Sequence, residues 1–138
     1  MIKLFFCETH KDNIVSHVFK LDVGHEIIEA EYAGIVTFDE RMKAIEEGIA
    51  ILNDREYPRI LINLIAAEMQ LTPDEKVTLA RYVSEQHALI NAKTAFLIRR
   101  EQTEREEVDQ VVLRADEFDS KVFYSRSNAI EWLAGNVG

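Results

Sequence analysis

RILINLIAAEMQLTPDE, residues 59–75, joins an apolar run to a helix start, and its interpretation decides the fold. RILINL is short and apolar on both alternating sides, the pattern of a strand buried on both faces of a sheet. Thr72-Pro73-Asp74-Glu75 then reads as a capping box, in which the threonine hydroxyl accepts from the third helical amide and the glutamate accepts from the threonine amide. Pro73 falls at the first helical position, where a missing N–H costs nothing. Between the two lies Ile65 to Leu71, expected to be a connecting loop. It is apolar for a connection, because loops are ordinarily polar and solvated.

Upstream, IKLFFCE and NIVSHVFKL are β-rich runs separated by a polar turn at His10–Asn13. EIIEAEYAG sets Ile28, Ala30 and Tyr32 opposite Glu29 and Glu31, a half-buried strand that Gly34 ends or bulges. In TFDERMKAIEEGIAILND, Phe38, Met42, Ile45, Ile49 and Leu52 form one helical stripe opened by Thr37-x-x-Glu40. Downstream, the helix from Pro73 is expected to turn Val77, Ala80, Val83, His87 and Ile90 inward. KTAFLI predicts a buried strand, and TEREEVDQVVLRA a helix capped by Thr103. KVFYS predicts a last strand, and SNAIEWLAG a short helix ending at Gly135. The order is βββαβαβαβα: one α/β domain over residues 1–138, with a mixed sheet and about four helices.

The chain has 138 residues, 47% of them hydrophobic and 30% charged, which suits a globular domain. With 25 acidic against 16 basic residues, the net charge of −9 opposes nucleic-acid and anionic-membrane binding. No apolar run approaches the ~20 residues that span a bilayer. MIKLFFCETHKD is unlike a signal peptide, and the single cysteine, Cys7, allows neither an internal disulfide nor a thiolate metal site. The expected location is the cytoplasm.

Candidate chemistry is sparse. His10, His17 and His25 stand near Glu8, Asp22 and Glu26 without a metal-ligand spacing. No phosphate loop, nucleophile elbow or HExxH is present. Cys7 and His10, three apart on a strand, would face opposite sides. Glu46-Glu47 reads as a solvated helix surface, and His87 as a core histidine. No enzyme, metal or cofactor is expected.

The passage EAEYAGIVTFDE and the tail KVFYSRSNAIEWLAG together resemble STAS-type domains, which include the anti-sigma-factor antagonists. The tail, with Ala129 and Trp132-Leu133 after an aromatic strand end, resembles the SpoIIAA-like branch, related in fold to SEC14-type lipid-binding domains. The resemblance implies a mixed sheet of four or five strands with helices mainly on one side. It also implies a phosphorylatable serine after an acidic residue at the end of the strand matching RILINL. Here that region reads Asn63-Leu64-Ile65-Ala66-Ala67-Glu68, with no Asp-Ser pair and no hydroxyl before Thr72.

The expected function is a non-enzymatic regulatory or protein-interaction module. Its surface is expected to comprise Asn63, Ile65, Glu68, Met69, Leu71 and Thr72, with Ile65, Met69 and Leu71 exposed. The partner would be another protein or a second copy of the chain. The alternative is a carrier or sensor of a small apolar or lipid-like ligand.

Overall fold

The structure is a computed structural model describing residues 2–5, 16–53, 58–104 and 119–135. Its strands are β1 (Ile2–Phe5), β2 (His17–Asp22), β3 (Ile27–Thr37), β4 (Arg59–Gln70), β5 (Lys93–Leu97) and β6 (Ser120–Phe123). They form one sheet in sequence order, one strand more than the resemblance implies. β1–β2–β3 are antiparallel and β3 to β6 run parallel, so the sheet is mixed as expected. The helices are α1 (Phe38–Leu52), α2 (Pro73–Ser84), α3 (His87–Ile90), α4 (Arg100–Glu104) and α5 (Arg126–Ala134).

Both faces of the sheet are covered. On one, Phe19, Ile28, Ile60, Leu64 and Phe96 join Ala44 and Ile45 of α1 and Leu79 and Val83 of α2 in the main core. On the other, Ile27, Leu61, Ala95 and Leu97 pack under Ala129 and Leu133 of α5. Each fully buried aliphatic side chain of this kind contributes about 1.5–3 kcal/mol. Helices therefore lie mainly on one side, and RILINL is buried on both faces because α5 closes the second.

Thr37 and Thr72 form complete capping boxes, and Gly135 ends α5 in the left-handed conformation. The third box is different. Helix α4 begins at Arg100, so Thr103 lies within it rather than capping it, and the rest of the expected helix, residues 105–115, lies outside the described residues. Helix α2 stops at Ser84, capped by Glu85, so the periodic stripe breaks before His87. His87 starts α3 and is exposed, Val77 is half exposed, and Leu79 with Val83 one turn on makes the buried face.

The largest correction concerns Ile65 to Leu71. β4 continues through Gln70, and β3 continues through Thr37, past Gly34, so the expected loop is strand. Ala33 pairs with Ala66, Ile35 with Glu68 and Thr37 with Gln70. Between the Glu31–Asn63 and Ala33–Ala66 pairs, β4 carries one extra residue, a bulge that disguises the alternation. Leu64, Ala67 and Met69 consequently all face the main core.

Beyond Asn63, β5 no longer flanks β4. The fully buried Gln102 takes its place: its Nε2 donates to Leu64 O at 2.7 Å and Ala67 O at 3.1 Å, and its Oε1 accepts from Arg99 N at 2.6 Å. Arg99 Nε donates to Ile65 O at 2.8 Å. Gln102 thus satisfies two carbonyls that would otherwise be buried without partners, and Arg99 bonds the exposed one between them. Replacing Gln102 with Leu should cost about 2–4 kcal/mol in urea unfolding, because two buried acceptors lose their donor. It should also speed amide exchange across residues 65–70. Thr72→Ala should cost about 1 kcal/mol by loss of the cap and leave exchange there unchanged.

Candidate functional site

Glu29 of β3 and Asn63 of β4 are diagonal neighbours on the α5 face of the sheet, Glu29 pairing with Leu61 and Asn63 with Glu31. Glu29 is only 4% exposed, and three donors hold it. Arg126 NH1 and NH2 donate to its two oxygens at 2.8 and 2.6 Å, and Asn63 Nδ2 donates at 3.0 Å. Arg126 is delivered by the turn into α5, where Ser125 caps the helix by accepting from Asn128 N. Asn63 has a second task, because its Oδ1 accepts from Ile65 N at 3.1 Å inside the bulge. One side chain therefore joins the irregular strand to the buried carboxylate.

Burial pushes the Glu29 carboxyl up, but the hydrogen bonds from Arg126 and Asn63, with the charge of Arg126, outweigh it and leave its pKa below the usual value. The hydrogen bond to Glu29 raises the Arg126 pKa in turn. A carboxylate so stabilised is a poor proton acceptor at neutral pH and a good structural anchor.

Past this anchor, the same face of the β3–β4 extension is bare. Ile35 is 54% exposed and Ile65 38%, with Ala33, Ala66 and Glu68 exposed around them. Of the residues expected to form the surface, Ile65 and Glu68 lie on this face. Asn63 is buried beside it, Met69 is 9% exposed in the main core, Leu71 packs against that core, and Thr72 caps α2. Met69 and Leu71 are therefore not the exposed contacts expected: strand geometry alternates the chain, so half of an apolar segment turns inward. Ile35 was not anticipated. Its signal was present, because in IIEAEYAGI it keeps the parity of Glu29 and Glu31.

A second polar group lies between the sheet and α1. His17, buried, has Nε2 2.7 Å from Glu47 Oε1, so Glu47 is not simply a solvated surface acid. Arg41, also buried, donates to the Tyr32 hydroxyl at 2.8 Å. Beside this group run two adjoining crevices of about 40 and 60 Å³, sharing Arg41, Ile45, Ile60, Ile62 and Leu89 as walls. His25 bonds to Asp22 at the far end of β2, so His17 and His25 do not converge; His10 and Cys7 lie outside the described residues. Among the described residues no three metal-ligating side chains cluster, and no helix is long and apolar enough to cross a membrane. The aromatics sort by depth: Phe96 is core, Phe123 packs on Trp132 at 5.6 Å between centroids, and exposed Tyr124 lies under Arg100.

No protein-family model matches the chain, and no curated protein matches it. Among solved structures it is similar to an uncharacterised protein of the DUF3478 family with a SpoIIAA-like fold from Shewanella loihica. The two are 16% identical, the match covers 96% of this chain and 93% of that one, and the TM-score is 0.48.

The Glu29 anchor makes stability depend on pH in a defined direction. Its folded pKa lies below its ordinary value of 4.5, so its contribution is fully present above that value and is lost as pH falls through the lowered one. Asp22, lowered chiefly by its hydrogen bond with His25, contributes with the same sign. Urea midpoints measured from neutral pH down to about pH 3 should fall steeply for the native chain and less steeply for Glu29→Gln, the remaining slope coming from Asp22 and other carboxylates.

Proposed function

We propose that this chain is a non-enzymatic protein-interaction module of the STAS/SpoIIAA-like type, docking through the outer face of the β3–β4 extension. One observation carries this: Ile35 and Ile65 stand exposed on adjacent strands, and an apolar face that no described element covers marks a contact surface. The surroundings support it. The strands below the patch are fixed by Gln102 and by the Glu29–Arg126–Asn63 group, so little conformational entropy is lost when the face is covered. The position lies next to the one where the resemblance implies a phosphorylated serine, but here Asn63 is committed to structure and Ile65 is apolar. Docking in this reading is constitutive rather than switched by a kinase.

The crevices beside Arg41 favour a second reading, a carrier of a small apolar or lipid-like ligand. Their walls are largely apolar, but their volumes of about 40 and 60 Å³ lie below the ~150 Å³ that holds a benzene, so entry requires the helices to part. Native mass spectrometry of the chain from its own cells would support this reading by showing a small adduct on a monomer.

A photo-crosslinking residue at position 35 is expected to trap a discrete protein adduct in those cells. The same residue at Val77, 50% exposed on α2, should trap none. Adducts at neither position, or equally at both, would remove the assignment.

A further inference from the structure

We infer that the partner of this face is a second copy of the chain, packed across a two-fold axis that lies in the interface and crosses the strands. The inference rests on the interaction reading above and names its partner. Its basis is the distribution of charge along the strip. At the bulge end Arg99 lies beside the Ile65 backbone, donating to Ile65 O at 2.8 Å, with its side chain 40% exposed. At the tip end Glu68 is exposed beside Ile35, and its side chain makes no hydrogen bond or ion pair among the described residues. Ala66 and Ala67 lie between Ile65 and Glu68, which are three steps of strand apart, about 10 Å. The strip therefore carries Arg99, already paired with Glu101, at one end, apolar side chains in the middle, and at the other Glu68, whose side chain has no partner among the described residues.

Such a strip complements itself in only one of the two simple packings. With strands of the two copies running in the same direction, Glu68 meets Glu68 and Arg99 meets Arg99. With the strands opposed, each Glu68 meets the Arg99 of the other copy, and the apolar middles coincide. An isologous pair of this kind forms each contact twice. Arg99 already has Glu101 at 3.1 Å, but that pair is exposed on both sides and is worth little, so the guanidinium remains available to a second carboxylate. The net charge of −9 per chain does not prevent the contact, since repulsion between the bodies is screened over about 8 Å at physiological salt while the facing charges stay within that range.

The test is sedimentation velocity on the full chain over a wide concentration range, for the native protein and for Glu68→Arg, Arg99→Glu and the double exchange. The native chain should dimerise. Glu68→Arg, which disturbs no internal bond among the described residues, should weaken the dimer at least about tenfold, and the double exchange should recover most of the loss. Circular dichroism should show the Glu68→Arg variant folded as the native chain is. A native chain that stays monomeric at every concentration overturns the inference, as does a Glu68→Arg variant that dimerises normally. Because Arg99 also bonds Ile65 O, a double exchange without recovery overturns it when circular dichroism and amide exchange across residues 65–70 match the native chain. Arg99→Lys, which keeps the charge, should dimerise more tightly than Arg99→Glu in either case. If the native chain is monomeric while position 35 still crosslinks to a different protein, the interaction surface stands and only the identity of its partner falls.

Discussion

The parallel pairing of β3 with β4 is the constraint on which the rest of the structure depends. Its first half lies inside the sheet, flanked by β2 and β5 and covered on both faces. The second half outruns β5. A strand carried past its neighbour exposes a row of backbone groups, and burying them without partners would cost more than the apolar contacts return. Gln102 and Arg99 remove that cost by offering side-chain donors to Leu64, Ala67 and Ile65. The extension is thereby rigid, and its core-facing side chains, Val36, Ala67 and Met69, can complete the main core under α2.

The buried carboxylate of Glu29 does a related job on the opposite face. An acid inside a sheet is costly unless ionic and hydrogen-bonding partners surround it. Arg126 supplies a two-pronged partner from the first turn of α5, and Asn63 adds a third donor while also bonding the bulge. Helix α5 is thus pinned at its N-terminal end by charge. Further along it is held by Ala129 and Leu133 and by Lys93, whose Nζ donates to Trp132 O at 2.8 Å. These groups are spent on positioning. What remains outward-facing past the anchor includes the apolar Ala33, Ile35, Ile65 and Ala66 beside Glu68.

Much of the fold was legible because local signals and the global arrangement agree. The stripe of Phe38, Met42, Ile45, Ile49 and Leu52, the threonine caps at 37 and 72, and Gly135 all specify structure through contacts within a turn or two of the chain. The site was less legible. Ile65 and Glu68 are identifiable as part of an unusual junction, but the segment reads as a loop, with Met69 and Leu71 outward, since the bulge at 64–65 hides the strand alternation that turns Met69 inward. Arg126 and Glu29 are 97 residues apart, and no local pattern announces a pair at that distance. Gln102 sits in a charged stretch that reads as surface, yet it is among the most buried polar residues described.

By itself, then, the sequence determined the α/β order, the starts of α1 and α2, the end of α5 and the double-sided burial of RILINL, because each depends on propensities and periodicities that act over a few residues. Only the tertiary structure decided that the apolar junction is a strand. Its backbone partners come from β3 on one side and from Arg99 and Gln102 on the other, more than 30 residues away in either direction. Whether Ile35 and Ile65 face solvent was settled in the same way. Exposure depends on where α5 ends and what covers the sheet beyond it, a property of assembled elements rather than of any single segment.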